Sequence, residues 1–381
     1  MSVVSEDRKR TIRKGKMPSA FWMAIVVGIL LLVGIYMVYS ASFVGVDSNP
    51  PWYYVSRHLA GIVIGLIAGA MMYFLARMKP GKRFLFILGL FLFSAAALVI
   101  AYLFGDVLGG SKRWISIGFG FNLQPSELIK VFFILLMASI LAGVKKSSGK
   151  IPWILLGGIV AGAVVIENFS SGLLIFIPVV LMLMVVGMRF SDYLFLGIVA
   201  VAGAIGAIAT GPYRLTRILN FAGVWLDPLK ADYQAKQSFY ALADGGLLGV
   251  GLTNSKQKFF HLPEHHTDFI FAIVGEELGF FMALLLILLL FSLGYLVIQI
   301  AIELKDPFAR LAVFGYGTLI LLQTLVNLAV VTGLGPVTGV TLPFISYGGS
   351  SMLSFLMMVG FILGAAMPRG TGKTERKGRK A

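Results

Sequence analysis

The stretch AFWMAIVVGILLLVGIYMVY, from Ala20 to Tyr39, runs for twenty residues without a charge. About 20 predominantly apolar residues cross a bilayer core as a helix. Nine further runs of this kind follow, at Leu59–Ala76, Phe84–Phe104, Leu128–Val144, Ile151–Ile166, Gly172–Met188, Tyr193–Thr210, Asp268–Ile302, Ala312–Val331 and Ser351–Met367. The composition agrees, with 58% hydrophobic and 13% charged residues among 381. Soluble domains carry roughly 45–50% apolar and about 25% charged residues. The expectation is an all-α integral membrane protein of about ten transmembrane helices. Its 45 glycines follow no period and sit among Leu, Ile, Val and Phe, which excludes collagen and disorder. With no cysteine, disulfides, thiolate catalysis and cysteine-held metals are excluded too.

A net charge of +15 would suit a nucleic-acid binder, but its distribution does not. Six basic residues crowd the first sixteen positions and six more fill the end of the chain, from Arg369 to Lys380. Such clusters beside apolar spans mark the cytoplasmic side and meet anionic lipid heads. An even number of helices puts both tails, 1–19 and 369–381, on that side, flanking a membrane domain over 20–368. The loops agree: twenty-two basic residues fall on the inner side, nine on the outer, and Lys130 alone lies within a span. No nucleic-acid partner is implied. The first run is too long for a signal-peptide core and should stay uncleaved.

Three outward segments are unusually long: Gly105–Glu127, Gly211–Thr267 and Thr332–Ser350. The second, 211–267, is a large extracytoplasmic loop of 57 residues between helices seven and eight. Its glycines, tyrosines and phenylalanines suggest a cap on the membrane surface, and loops of this length are usually functional. At the start of the fourth helix, Glu127 and Lys130 share a face at i, i+3 spacing and can neutralise each other. Gln124, Pro125 and Ser126 precede them, with Ser126 a candidate N-cap and Pro125 in the turn before it. Gln323 and Asn327 share a face of the ninth helix, where interhelical hydrogen bonds are expected. Glu167–Ser171 interrupts two short apolar runs and reads as an outward hairpin turn.

The run Asp268–Ile302 has 35 residues, more than a core of about 30 Å needs at about 1.5 Å per residue. It should stand above the membrane at first, or break near Gly275 or Gly279. A carboxylate at this outer rim, Asp268, could hold a raised pKa under an aromatic cap and act as a base. His265 and His266 beside it are poor metal ligands, because adjacent side chains diverge. Lys256 and Lys258, with Lys112, Arg113 and Trp114, keep cations outside, where a diphosphate would suit them. Pairing with Asp106, Asp227, Asp232 or Asp244 is the alternative.

The stretch Leu262–Gly279, LPEHHTDFIFAIVGEELG, closely resembles the signature of the SEDS family, the FtsW/RodA proteins of bacterial wall synthesis. So do Gly335–Gly339 (GPVTG), Leu342–Ser351 (LPFISYGGSS), Lys112–Ile115, Gln124–Glu127 with Lys130, and Gln237-Ser238 with Gly245–Gly251. The resemblance covers nearly the whole chain. It implies a ten-helix peptidoglycan glycosyltransferase of the bacterial cytoplasmic (inner) membrane that polymerises lipid II on the outer face. It also implies a single-pass class B penicillin-binding protein transpeptidase and other divisome proteins as partners. Asp268 matches the family's catalytic aspartate, and Glu127 and Lys130 match residues that line its central cavity. Substrate-binding expectations extend to Lys112, Arg113, Trp114, Gln237, Ser238, Lys256, Lys258 and Ser346.

Many members carry an acid between helices five and six, where this chain reads Glu167-Asn168-Phe169-Ser170-Ser171, so no catalytic duty passes to that segment. The Asn-Phe-Ser form and Gly275-Glu276-Glu277 lean toward the division-type branch. No cofactor is fixed by the sequence; a divalent cation such as Mg could assist diphosphate departure, but no dedicated set of oxygen ligands is visible. Two rival readings remain, a flippase for lipid-linked sugars and a non-catalytic division scaffold. The scaffold reading expects Asp268 to be dispensable.

Overall fold

The computed structural model describes residues 18–43, 50–108, 111–116, 118, 122–144, 149–167, 169–209, 221, 232–259 and 262–367. The basic stretches of both tails and most of 210–231 in the long outer loop lie outside them. Each apolar run forms a helix: α1 (Pro18–Ala41), α2 (Pro51–Arg77), α3 (Pro80–Phe104), α4 (Pro125–Leu141), α5 (Ile151–Glu167), α6 (Phe169–Val186), α7 (Phe190–Ala209), α9 (Ile270–Glu303), α10 (Pro307–Val331) and α11 (Gly349–Ala366). A further, amphipathic helix, α8 (Tyr233–Gly245), lies in the long loop. Seven of them, α1, α2, α3, α6, α9, α10 and α11, are long and apolar enough alone to cross a membrane. Shorter apolar stretches lie at Ile151–Val165 and Phe190–Gly203. The chain is a multi-pass, all-α membrane protein.

One small sheet departs from the helical expectation. Between α3 and α4, strands β1 (Asp106–Leu108), β2 (Ser111–Ser116) and β3 (Asn122–Leu123) pair antiparallel in the order β1-β2-β3. They pair part of the backbone between α3 and α4. Helix α4 begins at Pro125 itself, with Gln124 as its N-cap. Ser126 therefore lies inside the helix, correcting the expected cap. Proline suits this first position, where its missing N–H costs nothing.

Helix α4 is the axis of the bundle, with every side chain from Pro125 to Ala138 buried. A helix buried all round must be wrapped by others, and α3, α6, α10 and α11 do so. Helices α2 and α11 meet almost backbone to backbone through Gly61, Gly65 and Gly69 on one side and Gly360 on the other. A Cβ on Gly69 would stand 2.6 Å from the Leu356 carbonyl oxygen. Small residues at this spacing let helices pack closely where lipid supplies no hydrophobic drive.

Helix α9 is broken at Gly279, whose φ of 77° and ψ of −179° leave the helix. This is one of the two breaks expected from its length. The outer segment, from Ile270 to Glu277, is buried throughout. The turn after α8 docks on the break: Val250 N donates to Glu276 O at 2.9 Å, Gly251 N to Glu277 O at 3.1 Å and Phe280 N to Gly246 O at 2.9 Å. The kink thus trades ladder bonds for bonds to the loop and locks the cap to the bundle.

Gly279→Ala should therefore destabilise the fold. Its left-handed φ costs a side-chain-bearing residue roughly 1–2 kcal/mol, and the new Cβ would come within 2.7 Å of the Leu247 carbonyl oxygen. We expect a melting temperature at least about 2 °C lower in detergent. Gly89→Ala, whose Cβ meets nothing within 4 Å, should leave it unchanged or raise it.

Candidate active site

Asp268 ends the turn that leads into α9, one residue before the N-cap Phe269, and is half-buried at the outer rim. Three consecutive carbonyls of this turn are each held from another element. Tyr347 N donates to His266 O at 3.0 Å. Ser346 Oγ donates to Thr267 O at 2.7 Å, and Asn327 Nδ2 donates to Asp268 O at 2.7 Å. The backbone beneath the carboxylate is thereby fixed in place. A buried carbonyl without such a partner would be costly in lipid.

The carboxylate itself lies against Gly339, where an added Cβ would stand 3.3 Å from Asp268 Oδ2. Gly339 has a φ of 67°, which together with that proximity explains a glycine here. Asn327 spans both sides of the site, because its Nδ2 also donates to Val340 O at 2.7 Å. The sequence placed Gln323 and Asn327 on one face for interhelical bonding. Gln323 makes the interhelical bond, accepting from Lys130 of α4, and both side chains also grip the loops on either side of the site.

Beneath this rim lies the charged pair. Lys130 Nζ is 2.6 Å from Glu127 Oε1, with side-chain exposures of 2% and 8%. Both ends of the pair have further partners: Gln323 Oε1 accepts from Lys130 Nζ at 3.1 Å, and Glu127 Oε2 accepts from Ser354 Oγ at 3.0 Å. Thr341 and Ser351, which sequence reading passed over, extend the network. Ser351 opens α11 while Thr341 lies in the loop before it, and the bonds that join them to each other and to Gln323 depend on how that loop folds back.

The outward cations separate into distinct groups. Lys256 is exposed, and its backbone N–H is held by Glu276 Oε1 at 2.7 Å. Lys258 does not face the outside, contrary to expectation. Its fully buried ammonium pairs with Glu277 Oε1 at 2.8 Å and also reaches Ser40 O at 3.3 Å. A desolvated lysine already neutralised by a carboxylate cannot serve a diphosphate. Lys112 and Arg113 belong to β2, but their side chains lie outside the described part; Trp114 beside them is half-buried.

Of three remaining candidates, two are buried framework. Ser346 accepts from Leu342 N at 2.7 Å while holding Thr267, so it is buried framework and not a group presented to a ligand. Ser238 is likewise buried, donating to Val331 O at 2.7 Å and fastening α8 to the end of α10. Gln237, next to it, is half-buried on α8.

His265 and His266 do not converge: their rings stand 5.4 Å apart at 70°. Burial lowers the pKa of His266 to about 3, so the ring stays neutral near pH 7, packed against Tyr54 and Tyr347. Among the described residues, no three His, Asp or Glu side chains gather as a metal site.

Comparison with known proteins follows this geometry. Residues 21–370 match the profile of the FtsW/RodA/SpoVE family, described as cell cycle protein. Stage V sporulation protein E of Bacillus subtilis (strain 168) is 38% identical over 357 residues, 90% of this chain and 95% of the relative. The probable peptidoglycan glycosyltransferase FtsW of Geobacter sp. (strain M18) is 37% identical over 344 residues, 88% of this chain and 93% of the relative. A chain from a peptidoglycan synthase complex that coordinates polymerization and crosslinking shares the fold, with a TM-score of 0.72 and 23% identity over 91% of this chain and 97% of that one. The rod shape determining protein RodA of Thermus thermophilus does so with a TM-score of 0.64 and 22% identity, over 91% and 96% of the two chains. With a rim aspartate held over a buried ion pair and a profile match along nearly its whole length, the chain belongs to the FtsW/RodA/SpoVE cell cycle protein family.

Proposed function

We propose that this protein is a peptidoglycan glycosyltransferase that polymerises lipid II at the outer face of the bacterial cytoplasmic membrane during cell division. The observation that carries the reading is Asp268, a half-buried carboxylate on an immobilised backbone at the mouth of a polar, charged interior. FtsW-named relatives support both the activity and the division setting. The helix order and the distribution of basic residues support ten spans with both tails in the cytoplasm.

Asp268 is the general base. It takes the proton of the acceptor sugar's 4-hydroxyl as that oxygen attacks the anomeric carbon of the donor glycan. The bond from that carbon to the diphosphate breaks, undecaprenyl diphosphate leaves with the electron pair, and attack opposite to it inverts the configuration. Lys256, with Lys112 and Arg113 of β2, stabilises the departing diphosphate. Trp114 and Gln237 flank the sugar path, while the buried Glu127–Lys130 pair supports the site from within the bundle. Mg is a candidate assistant at the diphosphate, which would bring most of the oxygen ligands itself. A single-pass class B penicillin-binding protein and other divisome proteins are the partners that crosslink and organise the product.

Asp268→Asn keeps shape and removes the base, so glycan yield from purified protein and lipid II should fall by about 10²-fold or more. Membrane insertion and melting temperature should persist. Wild-type yield from the folded variant would refute the assignment and favour a scaffold.

Lys256 and Lys258 should part company. Lys256→Gln should raise the lipid II concentration for half-maximal rate with little change in melting temperature. Lys258→Met strands the buried Glu277 carboxylate and should cost about 3–5 kcal/mol of stability. Kinetics beside a melting curve for each variant separate the two, and equal effects on lipid II dependence would overturn the distinction.

A further inference from the structure

Six side chains and a serine carbonyl close a ring inside the bundle. Lys130 Nζ donates to Gln323 Oε1 at 3.1 Å. Gln323 Nε2 donates to Thr341 Oγ1 and to Thr341 O, both at 3.2 Å. Thr341 Oγ1 and Ser351 Oγ are 2.6 Å apart. The single Ser354 Oγ proton is shared between Ser351 O at 2.8 Å and Glu127 Oε2 at 3.0 Å, returning to the ion pair. Lys130, Gln323, Ser351 and Ser354 are buried and Thr341 is half-buried.

The ring has a direction, and the lysine sets it. An ammonium has donors only, so Gln323 must turn its oxygen toward Lys130 and its amide N–H groups toward Thr341. Thr341 Oγ1 accepts from that amide, which leaves its own proton for Ser351. Were Lys130 absent, the amide could flip and oppose its oxygen to the Thr341 carbonyl. The charge on Lys130 is thus translated into a fixed grip on the Thr341 backbone.

That grip lies two residues from Gly339, the backbone that faces the reacting carboxylate. Gly339 stands against Asp268 Oδ2, and Val340 O is held by Asn327, one helical turn beyond Gln323 on α10. The segment 339–341 is therefore pinned by two amides on one helix face, one oriented by Lys130 and the other shared with the Asp268 backbone. We propose that Gln323, acting through Thr341, is a positioning residue that holds the Gly339 wall against Asp268. The inference rests on Asp268 as the base of the proposed reaction.

The test uses full-length protein and lipid II. Thr341→Ser keeps the hydroxyl and should retain turnover. Thr341→Val keeps the volume but breaks the ring, and should lower kcat by about tenfold, because small misplacements at a reacting centre are costly. Gln323→Leu should lower kcat at least as much. In both, KM for lipid II should stay within about twofold, since no binding contact is lost. A purely structural role would instead lower melting temperature and activity together and treat Ser and Val alike. Equal kcat for Thr341→Ser and Thr341→Val, or wild-type kcat for Gln323→Leu, overturns the proposal.

A second readout needs no activity. The chain has no cysteine, so Pro263→Cys and Leu334→Cys, both at exposed positions, admit a pair of spin labels on the two loops flanking the site. Gln323→Leu should shift or broaden their distance distribution, and an unchanged distribution contradicts the proposal. If the unmodified chain polymerised no lipid II, the proposed function would fail, while the label distances would still judge the positioning role.

Discussion

In a bundle surrounded by lipid, Lys130 and Glu127 can find no compensation except from each other and from neighbouring side chains. Their pairing at 2.6 Å in the most buried helix is the interaction on which the rest of the site depends. Removing an ammonium and a carboxylate from water costs several kcal/mol per ion, and attraction offsets this only when the remaining donors and acceptors are also bonded. The donors and acceptors around this pair come from α10, α11 and the loop between them. The electrostatic requirement of one helix therefore dictates where that outer loop must run.

A second buried pair repeats the principle nearer the surface. Glu277 takes Lys258 on one oxygen and Ser40 of α1 on the other. Its neighbour Glu276 accepts from Ser255 and from the Lys256 backbone. Both glutamates lie in the outer segment of α9, between Asp268 and the break at Gly279. They bind the preceding turn to the helix from within, so Asp268 emerges from a segment anchored on either side. A mobile base would sample many geometries, whereas a fixed one holds the few in which proton transfer is productive.

The fold was legible because helices in lipid must be long, apolar and separated by charge. Ten runs became ten helices, and the excess length of Asp268–Ile302 pointed to a protruding end or a break near Gly275 or Gly279, of which the structure takes the break at Gly279. The sequence also carried the contact between α2 and α11 in the four-residue spacing of Gly61, Gly65 and Gly69. Glu127 and Lys130 were legible as a pair because i, i+3 neighbours must meet. Lys258 was misread for the converse reason: its partner Glu277 lies nineteen residues away, beyond any local spacing rule, so a buried cation looked like a free one. Asn327 was recognised as polar within a span, but its grip on Asp268 depends on how α9 and α10 face each other. The strands of the first outer segment were missed because three short pieces carry too little alternation to announce themselves.

The central claim is that Asp268 receives the proton of the acceptor hydroxyl. The most direct measurement is a structure of the Asp268→Asn variant with lipid II bound in the acceptor position. The expected result places the sugar 4-hydroxyl at about 3 Å from the side chain at position 268, directly or through one water. An acceptor sugar bound with that hydroxyl facing away, and another side chain within hydrogen-bonding reach of it, would contradict the assignment.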